Sequence, residues 1–367
     1  MIGVFWAQGL LHDSIVKMPR VRLPGLVDVH VHLRVPGGEH KEDFRTGTSA
    51  AIAGGFTCVL AMPNTRPPLV TFHDFRSVQT QADTEALCDV NHFAGASPDH
   101  LSELPALSKV AAGLKIYLDQ TYGPLRVTDL AALLACFSRW PGKTPIALHA
   151  EGSNVALGVG LAAAFRKPVH FCHVSRRDEI ELIARAKASG IPVTCEVAPH
   201  HLFLSALDLP RLGSLGDMRP RLATPDDVTA LWEHINTTVD CVATDHAPHT
   251  VAEKHGDNPP PGVPGLETAL PLMLTAVHAG RLTLDRLVYL MSTRPRAIFG
   301  LAEQPETWIE VDTDAEYVLS NDGLYTRCGW TPFAGMRVRG RLRRVTLRGK
   351  RVYENEVLVS WPRNRAR

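Results

Sequence analysis

Two histidines, His30 and His32 in Val29-His-Val-His-Leu-Arg34, close an apolar run that begins at Leu23. A β-strand turns alternate side chains to one face, so both imidazoles point the same way, roughly 6–7 Å apart. At that separation they can share one metal ion, zinc above all. Two surface histidines on an edge strand would read the same way. Further along stand Lys115 in Gly113-Leu-Lys-Ile and His149 at the end of Ile146-Ala-Leu-His. His173 ends His170-Phe-Cys-His, and Asp245 lies in Thr244-Asp-His-Ala-Pro-His. Each ends or follows a short apolar segment. A lone buried histidine is usually a satisfied core group, but six potential ligands at one recurring position are poorly explained that way. Lys115 differs, because an ammonium is no ligand. Burial favours the neutral amine, which can add carbon dioxide to form a carbamate able to bridge two cations. The competing reading is a lysine paired to a carboxylate.

These residues meet only if their segments lie side by side. Eight short apolar segments, at 26–32, 57–62, 89–95, 113–118, 145–150, 168–174, 192–197 and 239–244, alternate with helix-like stretches. The run Asp178-Glu-Ile-Glu-Leu-Ile-Ala-Arg-Ala is one such stretch. Eight alternations predict an α/β fold, a (β/α)8 TIM-type barrel whose C-terminal strand ends converge on one mouth. A doubly wound open sheet is the alternative, but no GxGxxG follows the first segment. The alternating segments 308–319 and 338–359 predict a small flanking β subdomain. The expected division is 1–22 and 306–367 for that subdomain and 23–305 for the barrel. Its arginines read as a solvated face, and residues 364–367 as a frayed end.

Composition narrows the function classes. A net charge of +1 on 367 residues, with 21% charged, supports no nucleic-acid stripe. No apolar stretch approaches bilayer-spanning length. Gly3-Val-Phe-Trp-Ala lacks the basic flank of a signal peptide. Seven dispersed cysteines without a CxxC pair read as free thiols in a reducing, cytoplasmic setting.

Six longer stretches carry a resemblance. They are His30-Val-His-Leu-Arg-Val-Pro-Gly-Gly, Ala61-Met-Pro-Asn-Thr-Arg-Pro-Pro, Gly113-Leu-Lys-Ile-Tyr, Cys195-Glu-Val-Ala-Pro-His-His-Leu-Phe-Leu, Asp245-His-Ala-Pro-His and Pro259-Pro-Pro-Gly-Val-Pro-Gly-Leu-Glu-Thr. From Val21 to about Pro362 the chain resembles the amidohydrolase superfamily and, within it, the dihydroorotases, above all the domain found in animal multifunctional pyrimidine-synthesis proteins. The resemblance implies one zinc on His30, His32, carboxylated Lys115 and Asp245. It implies a second on the same carbamate with His149 and His173. A third would use Cys172, Glu196 and a shared His173, thiolate being a natural zinc ligand. Cys172 as a small buried hydrophobe is the plainer reading.

The implied substrates, dihydroorotate and carbamoyl aspartate, are anions that call for planar donors. Arg34 shares the strand phase of His32, and Asn64, Arg219, His249 and Pro261 match the other substrate positions. The cations would supply hydroxide near neutral pH to attack the ring amide carbonyl, while Asp245 carries the proton. Run in reverse, the reaction closes the ring of N-carbamoyl-L-aspartate in pyrimidine synthesis. Asp119-Gln-Thr-Tyr-Gly-Pro-Leu matches a mobile active-site loop, with Thr121 as a hydroxyl donor. Tyr122 departs from an expected phenylalanine, and Val35 from a commoner glutamate. Family precedent implies a homodimer linked to carbamoyl-phosphate synthetase and aspartate transcarbamoylase modules. Two rivals stand beside this reading. Dihydropyrimidinases and allantoinases share the metal ligands, and an inactive scaffold domain would show decay among six ligands that are all intact here.

Overall fold

The computed structural model describes residues 20–123 and 125–359. Strand β1 (Arg20–Pro24) leads through Gly25 into β2 (Leu26–Val31), which pairs in parallel with β3 (Phe56–Ala61). Strand β3 pairs with β4 (Asp89–His92). After a break at Phe93 the same stretch continues as β5 (Ala94–Gly95) onto β6 (Leu114–Tyr117). The parallel ladder then runs through β7 (Ile146–His149), β8 (Val169–Phe171), β9 (Val193–Val197) and β10 (Cys241–Val242). It closes where Val31 bridges His246, and the His32 N–H donates to the His246 carbonyl at 2.8 Å. The expected barrel is therefore present, with its third strand in two pieces.

These strands are apolar on both faces because both faces are covered. Inside, Val27, Val29, Leu60, Phe93, Ala147 and Phe299 pack into one cluster. Outside, Leu26, Val59, Ile116 and Leu148 meet the surrounding helices. Helix Arg177–Ala188 shows how sequence sets such a layer. Ile180, Ile183 and Ala186 form its buried stripe, Asp178 and Glu179 sit in its first turn, and Arg185 and Lys187 in its last, matching the helix dipole.

The flanking sheet is antiparallel, in the order β1, β11 (Trp308–Val318), β12 (Arg337–Leu347), β13 (Lys350–Glu354), β14 (Val357–Leu358). It docks on the barrel through helix Leu266–His278, where the Arg339 N–H donates to Thr275 Oγ1 at 2.8 Å. Residues 1–19 and the tail expected to fray lie outside the described residues. All seven cysteines are buried and none is in a disulfide. Among the described residues no helix is long and apolar enough to cross a membrane.

Candidate active site

The site begins with a fault in β2. Val27 and Val29 face the barrel interior, whereas Val31 and Leu33 face the helices, so the alternation slips between them. A register irregularity between Asp28 and Val31 accounts for it. Such bulges re-aim side chains next to active sites. Here the slip turns His30 and His32 together into the mouth, with ring centroids 5.5 Å apart. Buried Asp28 steadies the turn by accepting from the His30 and Thr244 backbone N–H groups.

Both imidazoles converge on one carboxylate. His30 Nε2 lies 3.3 Å and His32 Nε2 3.2 Å from Asp245 Oδ1. Their opposite nitrogens are engaged, His30 Nδ1 at 2.5 Å from Glu196 Oε1 and His32 Nδ1 at 2.8 Å from Asn64 Oδ1. Asn64 cannot turn its amide over, because its Nδ2 donates to the Tyr122 carbonyl at 2.8 Å. His32 must therefore donate from Nδ1, which leaves its Nε2 lone pair aimed at the carboxylate. This is the arrangement by which outer groups orient metal-binding histidines.

Burial, reinforced by Arg34, lowers His32 to about 4 and keeps it neutral. Burial and Lys115 also oppose a proton on His30, but Asp245 and Glu196 outweigh them and raise it to about 10. Burial likewise opposes the Asp245 charge, yet the positive charge of His30 holds its carboxyl well below the usual range. A divalent cation between these atoms would take the place of the extra proton on His30.

His173 stands on the other side, its ring 5.1 Å from that of His30, and its Nε2 is 2.8 Å from His149 Nδ1. Its buried Nδ1 has no hydrogen-bond partner among the described residues. Lys115 is fully buried, and its Nζ donates to Cys172 Sγ at 2.8 Å. His30, His173 and Asp245 each place a ligand atom within 4.8 Å of the others, and so do His30, Cys172 and Glu196. The donor set fits zinc. The second trio differs from the expected Cys172, His173 and Glu196. The His173 ring turns toward His149, so only its backbone N–H reaches Glu196, at 3.1 Å. Arg34, His173 and Asp245 all have positive φ, at 63°, 33° and 47°. Strained backbone of this kind clusters where a site over-determines it.

Beside the cluster lies a basic lobe. Arg34 Nε donates to the Pro248 carbonyl at 3.1 Å, and its Nη2 is 3.0 Å from His249 Nε2. Val35 packs into the core under the helices, so the missing acid leaves Arg34 held by backbone instead. The Tyr122 ring sits edge-on to His249 at 5.1 Å, with the Arg34 and Arg66 guanidinium groups 5.4 and 5.6 Å from its centre. Thr121, Arg219 and Pro261 complete the wall of a small pocket that Asp245 and His149 also line. Arg219 reaches it while paired with Asp217 at 2.5 Å.

Sequence reasoning passed over four groups. His170 Nε2 lies 3.0 Å from Glu196 Oε2, a partner detectable from its two-residue phase with Cys172. Glu151 Oε1 lies 3.4 Å from His149 Nε2. Lys41 lies under Tyr122 and His249. Lys254 donates to the carbonyls of Asp217, Pro260 and Gly262, tying together the loops that carry Arg219 and Pro261. Both lysines sit in charged runs that look like solvated surface.

A family model described as Dihydro-orotase-like matches residues 19–109. Over 95% of its length the chain is 51% identical to the Multifunctional protein CAD of Squalus acanthias, spanning 16% of that protein. It is 33% identical to the Dihydroorotase of Pyrococcus furiosus, over 96% of this chain and 86% of that one. Among solved structures, the L-hydantoinase (dihydropyrimidinase) from Arthrobacter aurescens matches with a TM-score of 0.88 and 25% identity, over 93% of this chain and 87% of that chain. The inactive dihydroorotase-like domain of a Chaetomium thermophilum CAD-like multifunctional protein matches with a TM-score of 0.80 and 27% identity, over 94% and 98%. With a full-length relative so covered and a mouth built as described, the chain belongs to the dihydroorotase family.

Proposed function

We propose that this chain is a zinc-dependent dihydroorotase that interconverts N-carbamoyl-L-aspartate and L-dihydroorotate in pyrimidine synthesis. One juxtaposition carries the reading. A histidine–carboxylate cluster of His30, His32, His173 and Asp245 stands next to a donor pair, Arg34 and His249, that suits a substrate carboxylate.

Zinc held by His30, His32, His149, His173, Asp245 and a carboxylated Lys115 would supply Lewis acidity and an activated water. A third ion would sit at Cys172 and Glu196 with His30. Asp245, kept ionised, is the base: it accepts the amide proton during ring closure and returns it to nitrogen during hydrolysis. Arg34 and His249 hold the substrate carboxylate, with Arg219 and Pro261 on the facing wall. Asn64 fixes His32, while Thr121 and Tyr122 cover the pocket and exclude water. The flanking sheet of residues 20–24 and 308–358 forms a small β subdomain. A cytoplasmic homodimer linked to carbamoyl-phosphate synthetase and aspartate transcarbamoylase modules completes the proposal.

Hydantoinase-type chemistry would use the same cluster, but it gives Arg34 and His249 no anion to hold. An inactive scaffold would have no use for six ligand groups kept together. Zinc content and turnover of both compounds, measured on one purified sample, test the reading. Two or three zincs per chain with both conversions support it. Zinc with turnover of hydantoins alone replaces the substrate, and the absence of both sinks it.

A further inference from the structure

We propose that Lys41 is a positioning residue that fixes which nitrogen of His249 carries the proton. The inference rests on the reading above, in which His249 and Arg34 hold the anionic end of the substrate. Lys41 is buried, and its Nζ meets three acceptors: His249 Nδ1 at 3.1 Å, the Tyr122 hydroxyl at 3.1 Å and Glu253 Oε1 at 2.9 Å. An ammonium has three N–H donors and no acceptor, so these contacts use all of it. His249 Nδ1 must then present its lone pair.

The other nitrogen faces two groups. His249 Nε2 is 3.0 Å from the Pro261 carbonyl and 3.0 Å from Arg34 Nη2. With the proton on Nε2, His249 donates to Pro261 and accepts from Lys41, which satisfies two contacts. With the proton on Nδ1 it satisfies only Arg34, and two donors collide at Lys41. Lys41 therefore decides the balance, because without it each tautomer satisfies one contact. Burial and the cations Arg34, Lys41 and Lys254 keep the ring neutral, so the choice is between tautomers. The backbone is not free to compensate, since Trp330 Nε1 donates to the His249 carbonyl at 2.8 Å.

The consequence is a ready-made anion site. With Nε2 protonated, His249 and Arg34 are two adjacent donors with no bond between them. A carboxylate oxygen entering there accepts from the Arg34 N–H, and from the His249 N–H as a bond shared with the Pro261 carbonyl. Tyr122 shares the same ammonium, so the loop residue over the pocket and the donor within it answer to one group.

The test uses the whole chain labelled with ¹⁵N-histidine, with His249 resonances assigned by their loss in His249→Asn. Two-bond ¹⁵N–¹H correlation distinguishes the two neutral tautomers. The parent protein is expected to show the Nε2–H pattern. Lys41→Met is expected to lower the Nε2–H fraction to about half, and so to raise KM for dihydroorotate about twofold with little change in kcat or zinc content. In the His249→Asn background the same change should leave KM unchanged. An unchanged Nε2–H pattern in Lys41→Met overturns the proposal whatever the substrate is. A shifted pattern with unchanged KM keeps the positioning role and counts against His249 as the substrate's donor. If Lys41→Met does not fold, Lys41→Arg carries the test. A guanidinium also only donates, so a switch to Nδ1–H there overturns the proposal.

Discussion

The barrel mouth and the flanking antiparallel sheet use the same charged residue types to opposite ends. On the sheet, Arg344 pairs across strands with Glu354 and Glu310, and Arg22 with Glu310, all with one side open to water. Water screens each pair and replaces whatever is lost. In the mouth, Arg34, Lys41, Lys115, Glu196 and Asp245 are buried, and the partners they have are other protein groups. Removing one partner there strands another without water to rescue it. The same chemistry is decoration in one place and machinery in the other, and burial makes the difference.

The hardest test of that contrast is at the centre of the mouth. Asp245→Asn should lower turnover about 10²–10⁴-fold while leaving the fold intact by circular dichroism. Near-parental activity would remove Asp245 from proton transfer. Lys115→Ala should lose bound zinc together with most of the activity. Unchanged zinc content by elemental analysis would dispose of the bridging carbamate.

One layer out, Asn64→Ala removes the acceptor that fixes His32. A loss of about 10–100-fold in zinc affinity or activity is expected, and a metal titration would reveal it. An effect below twofold would mean that His32 is held by something else.

Glu267 probes the joint between the two regions. From helix Leu266–His278 it accepts from the Tyr325 and Thr326 backbone N–H groups, beside Glu42. Burial raises its carboxyl from 4.5 to about 7. The folded state therefore keeps a proton that the unfolded chain releases. Its contribution to stability is greatest at low pH and declines as pH rises from about 4.5 to about 7. Glu267→Gln should lack that decline, so its urea-unfolding free energy should change with pH less than the parent's, by about 1–3 kcal/mol across the window. Parallel pH profiles would show that Glu267 is already ionised in the fold. The smallest effect belongs to the sheet. Arg344→Ala should shift the melting temperature by no more than about 2 °C, and a larger shift would blur the contrast.

Much of this architecture was legible in the residues themselves. Short strands at regular intervals read out as a barrel because two-residue and 3.6-residue periods are local properties. The convergence of His30, His32, His149, His173 and Asp245 followed from placing them at strand ends. The phase of His30 did not follow, because the slip in β2 is a pairing event with β3 that no single strand records. The exchange of His173 for His30 beside Cys172 and Glu196 was hidden for a related reason. Side-chain direction at a strand end depends on the neighbour it meets.

By itself the sequence determined the chemical identities, the strand and helix periods and the order in which ligands reach the mouth. These rest on interactions within a few residues. Tertiary structure alone decided which donor faces which acceptor. Lys41 and His249 are 208 positions apart, and His30 and Glu196 are 166 apart. Only closure of the barrel brings them within hydrogen-bond range and removes the water that would otherwise satisfy each one separately.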